Sequence, residues 1–414
     1  MSAVDAFADL DHMAHREGRA FSVSRDCGLA YSADQVARTA RSIDAHAVAY
    51  TSDFENHPAA VARLARGLLL GNPPEVLRRV RNPFVVARTL TARGFAVPQL
   101  WSGAEDGEPG DQVLNGESRI HHSRPDPSHP PRLTTHCLAK PLASGGGHSI
   151  VPWRAGQALA AGMVLQERIA GIPGSIVFAA DGERAVPFAL TRQLIGDRAF
   201  GAHGFKYCGN ILVAAGDPYV DRGRGLLERA MAVARVVVEA FGLVGVNGID
   251  FIARQGVPYP IEINPRYTAA MELAERAYGL SVFEAHAAGC AAAVPAFDLE
   301  REWRSGGAVG KAVIYARHTI VLGDTRRWCD DDTMRDVPHP GERIARGRPV
   351  CTVFARGRDG SACYAALVRR AGQVYEQLDR WRRTETRMRK RAEHAAGNTT
   401  GTRRRVATGH EDTE

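Results

Sequence analysis

The pattern of hydrophobic and polar positions differs between two parts of the chain. From Ala47 to Leu100, strand-like apolar runs alternate with segments of helical spacing, in the order HAVAYTS, HPAAVARLARG, LLLGNPP and EVLRRVRNPFVVARTLTARG. This alternation predicts an α/β layer with a parallel sheet, in which the fourth segment is a helix. An earlier strand is predicted from Ala3 to Ala8.

Beyond residue 134 the pattern is that of antiparallel strands. CLAKPLASGGGHSIVPW predicts two strands around a glycine-rich turn, VLQERI predicts a short strand, and SIVFAADGERAVPFALTRQLI predicts a hairpin that turns at Asp181-Gly182. Residues 225–242 have helical spacing, and residues 246–264 predict a second hairpin. Two more β-like segments, KAVIYARHTIVL and RPVCTVFARGR, precede a basic C-terminal helix.

A proline-rich segment separates the two parts of the chain. Residues 103–134 contain five prolines and almost no periodic apolar positions, which is typical of a linker or an insertion. We therefore expect five parts: an N-terminal α/β domain over 1–102, the linker over 103–134, an antiparallel domain over 135–298, a β-containing region over 299–372, and a basic helix with a disordered tail over 373–414.

Composition limits the classes of protein to consider. The 414 residues are 44% hydrophobic and 24% charged, enough for two or three domains. No window approaches the roughly 18 uninterrupted apolar residues of a membrane span, and the N-terminus is acidic where a signal peptide is basic. Seven scattered cysteines form no CxxC pair, which favours reduced thiols. We expect a cytoplasmic protein without a membrane partner.

The net charge of +7 is concentrated in the tail. Residues 380–414 hold ten Lys and Arg against five Asp and Glu, but the body shows no basic stripe interleaved with aromatic residues. Nucleic-acid binding is therefore not favoured. Only four of the 53 basic residues are lysines, at positions 140, 206, 311 and 390, so each lysine of the body is a candidate for a specific role.

The first candidate site combines Lys140 with the glycine-rich segment that follows it, from Ser144 to His148. Glycines let backbone N–H groups approach an oxyanion closely, and a lysine at the end of a strand adds a positive charge. The segment is a candidate phosphate cradle. An exposed hairpin turn with an incidental lysine explains the same residues, and no GK[ST] follows that would make it a Walker loop.

The second candidate site lies on the hairpin over 246–264. A turn centred on Gly256 places Asp250 opposite Glu262, and Asn264 shares a face with Glu262 because the two are two residues apart. Two carboxylates and an amide suit Mg²⁺ held together with substrate phosphates. A solvated hairpin face is the alternative interpretation.

Three further features accompany these sites. Pro258 and Pro260 cannot donate to a ladder, so their strand is predicted to lie at a sheet edge. Arg266, just past that strand, can bridge a phosphate or an acyl phosphate. The strand VLQERI can read an adenine edge through its backbone near Gln166, Glu167 and Ile169, although a core strand with surface Gln and Glu explains it equally well.

The order of these elements resembles the ATP-grasp superfamily. A lysine strand with a glycine loop is followed by a Gln-Glu hinge and by Asp-x₁₁-Glu-x-Asn-Pro-Arg, and EINPRYTAAMEL is the most specific piece. Within the superfamily, the chain resembles the predicted ATP-dependent carboligases or amide ligases related to biotin carboxylase, over roughly residues 1–370. The resemblance implies an ATP-grasp fold, α+β with α/β parts, behind an N-terminal Rossmann-like (pre-ATP-grasp) domain. That domain looks truncated at its start, because the chain begins near the usual second strand, so either the domain is trimmed or the start codon is misassigned.

The resemblance also implies a role for each candidate. Lys140 and Arg266 would be catalytic, and Lys206, Tyr207 and Asn210 would face the acceptor pocket from a loop, whereas a solvated Lys311 is favoured over a pocket role. ATP would be bound by Lys140, Ser144, Gly145, Gly146, Gly147, His148, Gln166, Glu167 and Ile169, and Mg²⁺, or alternatively Mn²⁺, by Asp250, Glu262 and Asn264.

The predicted function is an ATP- and Mg²⁺-dependent ligase that activates a carboxylate as an acyl phosphate and joins it to an amine or a thiol, in small-molecule or cofactor biosynthesis. Small carboxylates and amines are the expected partners, and a homodimer is the default assembly. A biotin-carboxylase-like carboxylase is one alternative, although the chain has no Met-Lys-Met biotin-attachment sequence. A non-catalytic, ATP-binding regulatory protein is the other.

Overall fold

The computed structural model describes residues 2–5, 9–11, 19–65, 67–102, 137–143, 145–213, 217 and 225–406. Its N-terminal part alternates strands with helices. The strands pair in parallel, β1 with β2 and β3 with β4, which agrees with the predicted α/β layer. These elements are β1 (Ser2–Asp5), β2 (Arg19–Ser22), α1 (Ala33–Ala40), β3 (Ala47–Ala49), α2 (Pro58–Leu64), β4 (Leu68–Leu70), α3 (Pro74–Val80) and α4 (Pro83–Ala92).

The segment predicted as one helix after residue 74 is two helices, α3 and α4. Pro83 has no N–H to continue α3, and it occupies the first turn of α4, where that loss costs nothing. The Asn82 side chain caps the new helix by accepting hydrogen bonds from the N–H groups of Phe84 and Val85, at 3.0 and 3.2 Å. The break leaves Arg81 outside both helices.

A four-stranded antiparallel sheet follows, in the order β5-β8-β6-β7. Its strands are β5 (Leu100–Ser102), β6 (Cys137–Pro141), β7 (Val151–Trp153) and β8 (Met163–Glu167). The predicted strands on both sides of the glycine loop are confirmed, since Cys137 pairs with Trp153 and Ala139 with Val151. The predicted linker over 103–134 lies outside the described residues.

An eight-stranded sheet, in the order β13-β12-β9-β10-β11-β14-β18-β16, forms the centre of the molecule. Along β9 successive side chains point to opposite faces, so Ile176 and Phe178 pack against one helix, α5, while Val177 packs on the other face near Met271. The elements around this core are β9 (Ile172–Asp181), β10 (Ala185–Ile195), β11 (Tyr207–Leu212), α5 (Leu226–Phe241), β12 (Val244–Arg254), β13 (Val257–Asn264), α6 (Met271–Tyr278) and α7 (Val282–Cys290).

The C-terminal part completes the sheet and covers its end with a long helix. Its elements are α8 (Leu299–Ser305), β14 (Ala308–Tyr315), β15 (Ile320–Val321), β16 (Met334–Arg335), β17 (Arg343–Ile344), β18 (Pro349–Gly357) and α9 (Gly360–Val406). None of the helices in the described ranges combines the length and the apolar character that a bilayer crossing requires. The division into five domains and the Rossmann-like assignment stay predictions.

Candidate active site

A cavity of about 410 Å³ opens between the four-stranded sheet and the eight-stranded sheet. Its wall includes Leu138 and Lys140 of β6 on one side and Asp250 and Asn264 of the large sheet on the other. Ten of the predicted site residues line it: Lys140, Gly145, Gly146, Gly147, Gln166, Glu167, Ile169, Asp250, Glu262 and Asn264. Arg266 lines it as well, His148 does not, and Ser144 lies outside the described residues. One cavity therefore collects nearly all candidates.

The hairpin of β12 and β13 brings the two acidic residues together through a bulge. Its turn is the pair Gln255-Gly256, both with positive φ, rather than a turn centred on Gly256. Phe251 pairs with Pro260, and the next pair is Asp250 with Glu262, so Ile261 is an extra residue in β13. The predicted pairing is thus confirmed because the bulge offsets the different turn. The predicted edge position of this strand is confirmed too.

The two carboxylates of the hairpin differ in charge state. Burial and the nearby charge of Glu262 raise the pKa of Asp250 to about 7. Burial would also raise the pKa of Glu262, but Lys140 and Arg81 outweigh that effect and lower it. Asp250 accepts hydrogen bonds from Gln193 Nε2 at 2.9 Å and from Asn264 Nδ2 at 3.1 Å. Near neutral pH the hairpin therefore holds one full negative charge and one partial one.

Lys140 lies between the two sheets and reaches the hairpin. Its ammonium group donates to the carbonyl oxygen of the bulged Ile261 at 3.0 Å and lies 3.8 Å from Glu262 Oε2. Ile261 has no paired residue in β12, and its carbonyl group instead accepts the hydrogen bond from the lysine. With one hydrogen bond to a carbonyl group and one ion pair at 3.8 Å, the ammonium group keeps further N–H donors for a phosphate.

The glycine loop packs against the segment that precedes β11. The N–H of Tyr207 donates to the Gly146 carbonyl oxygen at 3.0 Å. Gly147 has a φ of 75°, and a Cβ atom built on it would lie 1.8 Å from the carbonyl oxygen of Phe205. Only glycine fits this contact, because any larger residue would meet rigid backbone.

We expect Gly147→Ala to weaken nucleotide binding about tenfold or more, since the loop must leave Phe205 and adopt a strained φ. Isothermal titration of ADP with Mg²⁺ measures the change. Gly145→Ala is the matched control, because a Cβ atom at Gly145 meets nothing within 4 Å. Equal affinities for the two variants would contradict the role of this contact.

The predicted adenine segment is only partly as expected. Gln166 and Glu167 belong to β8, which pairs with β5 on one side and β6 on the other, so their backbone groups are not free. The ladder ends at Glu167, and the backbone groups outside it begin with Arg168 and Ile169. One Glu167 carboxylate oxygen accepts from the N–H of Gln99 at 3.1 Å. Of the predicted segment, Arg168 and Ile169 therefore keep backbone groups outside the ladder, and Gln166 and Glu167 do not.

Arg266 joins the hairpin to the N-terminal part of the chain. Its Nη2 donates to Glu55 Oε1 at 2.6 Å and to Asn264 Oδ1 at 3.2 Å. Burial would lower the pKa of Arg266, but Glu55 outweighs this and raises it. Glu55 and Arg266 are only 1% and 9% exposed. The pair is neutral overall, and it fixes the orientation of the guanidinium at the edge of the cavity.

A family model described as an ATP-grasp domain matches residues 87–270. The chain contains an ATP-grasp domain. The match confirms the predicted resemblance and supports the class of ATP-dependent ligase. It begins inside α4, earlier than the residue 135 at which the sequence analysis placed the start of this domain.

A sequence relative of the ATP-grasp domain is an uncharacterized protein of Methanocaldococcus jannaschii. The two sequences are 22% identical over 297 residues, which is 70% of this chain and 64% of the relative. The chain therefore spans less than two thirds of the length of that relative.

Solved structures share the fold. Rhizobium etli pyruvate carboxylase matches with a TM-score of 0.65 at 15% identity, over 89% of this chain and 34% of the carboxylase. The biotin carboxylase domain of Hydrogenobacter thermophilus 2-oxoglutarate carboxylase was solved as a dimer with MgADP and bicarbonate. It matches with a TM-score of 0.58 at 14% identity, over 86% of this chain and 81% of that domain. N5-carboxyaminoimidazole ribonucleotide synthetase of Thermus thermophilus matches with a TM-score of 0.57 at 16% identity, over 89% of this chain and 97% of the synthetase. Both the carboxylases and the synthetase have this architecture, so the fold alone does not choose between them.

Three side chains that contact the candidate site residues are not predicted from the sequence. Arg81 Nη1 donates to Glu262 Oε1 at 2.8 Å, and Gln193 binds Asp250. Glu55, the partner of Arg266, is a third. Arg81 lies between α3 and α4, and Glu55 lies in a short helical turn, Phe54–Asn56. Each is more than 180 residues before the residue that it contacts, and only the break before Pro83 marks the position of Arg81.

The residues proposed for the acceptor side need correction. Tyr207 and Asn210 line the cavity from strand β11, not from a loop. Lys206 is directed elsewhere, since its ammonium group donates to the Gly347 carbonyl oxygen at 2.7 Å. Lys311 is not solvated: it is 6% exposed and pairs with Glu272 at 2.7 Å. Its position on β14, an inner strand of the sheet, explains the burial.

The donor set of the hairpin fits a magnesium ion. Asp250, Glu262 and Asn264 supply oxygen atoms around one cavity wall, and burial, together with the charge of Glu262, leaves negative charge on Asp250 unfavourable there and raises its pKa. A hard cation offsets that negative charge and prefers oxygen ligands. Mg²⁺ and the larger Mn²⁺ both meet this description.

Proposed function

We propose that the protein is an ATP- and Mg²⁺-dependent ligase that activates a small carboxylate as an acyl phosphate and joins the acyl group to an amine or a thiol. The observation that carries the proposal is the arrangement of Lys140, Glu262 and Arg266 around one end of a cavity bordered by the glycine loop. A cavity of about 410 Å³ admits a small molecule, which suits the proposed role in small-molecule or cofactor biosynthesis.

The nucleotide would occupy the half of the cavity between the two sheets. Lys140 and the loop over Gly145–Gly147 would cradle the phosphates, with Ser144 and His148 as neighbours of that loop. Gln166, Glu167 and Ile169 would line the adenine site, where apolar walls and a backbone edge suit a flat base. Asp250, Glu262 and Asn264 would hold Mg²⁺, which when bound offsets the phosphate charge.

The reaction would need no nucleophile from the protein. A carboxylate oxygen of the substrate attacks the γ-phosphorus, and the bond to ADP breaks. The amine or thiol then attacks the acyl carbon, and phosphate leaves. Arg266 would stabilise the charge on the transferred group, because its fixed guanidinium is already oriented by Glu55. Catalysis then rests on positioning and electrostatics.

A carboxylase is the second candidate, favoured by the similarity to the biotin carboxylase domain that was solved with bicarbonate. In that case bicarbonate takes the place of the organic acid, and the acceptor is a biotin carried by another protein. Tyr207 and Asn210 would face the acceptor in either case.

We expect ADP to be released with Mg²⁺ and ATP only when an organic acid and an amine or thiol are both present. Screening pools of acids against pools of acceptors, with bicarbonate and free biotin as a separate arm, measures this. Release that depends on bicarbonate and biotin alone would replace the ligase by the carboxylase. Tight nucleotide binding without ADP formation under any pool would instead support a regulatory protein.

A further inference from the structure

Arg81 makes an unusually complete set of contacts for a residue between two helices. Its guanidinium donates to Glu262 Oε1 and to the Ile263 carbonyl oxygen, each at 2.8 Å. On its other side, Nε and Nη2 both donate to Asn56 Oδ1, at 3.1 and 2.8 Å. Four hydrogen bonds on a planar fork leave the side chain one orientation.

The burial of this group strengthens each contact. The Arg81 and Glu262 side chains are only 10% and 18% exposed, so water screens their attraction much less than at the surface. Val80 and Ile263, on either side of the pair, belong to one apolar cluster. The ion pair therefore has a defined geometry, in contrast to exposed pairs such as Arg63 with Asp34.

Lys140 and Arg81 contact different oxygen atoms of the Glu262 carboxylate. Arg81 binds Oε1 at 2.8 Å, while Lys140 lies 3.8 Å from Oε2 and donates mainly to Ile261. Under the proposed function Lys140 turns to the phosphates when nucleotide binds. Arg81 has no such role and stays, so Oε1 remains held while Oε2 becomes available to a cation.

We propose that Arg81 is a positioning residue, which fixes Glu262 in the orientation that binds the Mg²⁺ of the nucleotide, and that Asn56 holds the guanidinium of Arg81 in turn. This inference rests on the proposed function, because it presumes a nucleotide-bound metal at Glu262. Residues that orient a ligating carboxylate commonly contribute about 10–100-fold to metal affinity. They do so by removing the entropic cost of ordering the ligand.

The test separates metal binding from nucleotide binding. ADP affinity is measured by calorimetry in EDTA and over a Mg²⁺ titration, for wild type, Arg81→Ala, Arg81→Lys and Asn56→Ala. We expect Arg81→Ala to raise the Mg²⁺ midpoint about 10–100-fold and to leave ADP binding in EDTA within about twofold. Arg81→Lys should recover part of the loss, since it restores the charge without the fork.

A coupling measurement distinguishes positioning from general damage. Asn56→Ala should raise the Mg²⁺ midpoint less than Arg81→Ala does, and should add nothing in the Arg81→Ala background. Arg78→Ala, on an exposed position of helix α3, which ends just before Arg81, is the matched control and should leave the midpoint unchanged. If Arg81→Ala does not fold, Asn56→Ala and Arg81→Lys carry the test.

Three results would overturn the inference. The first is an unchanged Mg²⁺ midpoint in Arg81→Ala, and the second is an equal loss of ADP affinity with and without the metal. The third is additive effects of Asn56→Ala and Arg81→Ala. If the wild type itself binds ADP no better with Mg²⁺ than with EDTA, the proposed function fails first and this inference fails with it.

Discussion

Replacement of Glu262 by glutamine is expected to lower ATP-dependent ADP formation by about 10²–10³-fold, the scale of losing one preorganised electrostatic contact in a transition state. Glutamine keeps an oxygen that can accept from Arg81 Nη1, so the hairpin should stay folded. It removes the charge that would hold Mg²⁺. ADP release under saturating substrates measures the rate, and thermal unfolding with and without MgATP measures binding.

The wild type should gain about 2.7 kcal/mol at a MgATP concentration of 100 times the dissociation constant, and Glu262→Gln much less. Glu239→Gln is the control, because Glu239 is an exposed glutamate of α5 whose contact is with Arg93 at 3.3 Å. Full activity in Glu262→Gln would remove this residue from the reaction. Equal losses in both variants would point to a general effect of charge.

Arg266→Ala is expected to destabilise the protein by about 3–5 kcal/mol without any ligand, because it leaves the carboxylate of Glu55 buried and unpaired. Urea unfolding in EDTA measures this loss. The double variant Glu55→Leu with Arg266→Met should recover most of the stability, since two apolar side chains can replace a buried ion pair. Its catalytic activity should not return.

The exposed ion pair of Arg63 with Asp34 is the control for this prediction. Arg63→Ala should cost less than about 1 kcal/mol, since both side chains are at least 40% exposed and water screens the attraction. A loss in Arg266→Ala as small as that of Arg63→Ala would show that the Glu55 carboxylate is not left buried without a partner. The buried pair would then not be what orients the guanidinium.

The part of the site that could be predicted from sequence is local in the chain. Asp250 and Glu262 belong to one hairpin with a short turn, so antiparallel pairing brings them close together. They lie directly opposite each other only because the bulge at Ile261 offsets the turn at Gln255-Gly256. The edge position of β13 follows from Pro258 and Pro260, which lack the N–H groups of an inner strand.

The rest depends on contacts between distant segments. Arg81 and Glu55 meet the hairpin only after the N-terminal part packs on the large sheet, and no periodic pattern encodes that docking. No feature of the sequence predicts the bulge at Ile261 either, where a carbonyl group accepts from Lys140. The prediction of a solvated Lys311 is wrong because a lysine on an inner strand needs a buried partner. That partner, Glu272, lies 39 residues away in the chain, so no local pattern indicates it.

The raised pKa of Asp250 has a consequence for the energetics of substrate capture. Because this pKa is about 7 in the ligand-free protein, a large share of the molecules carry a proton on Asp250 at neutral pH. A metal needs the deprotonated carboxylate, so each binding event would release part of a proton to the buffer. Affinity for the metal–nucleotide complex would fall as the pH drops below 7 and level off above it. A lower pH would thus slow the reaction by weakening the binding of the metal–nucleotide complex, before any chemical step.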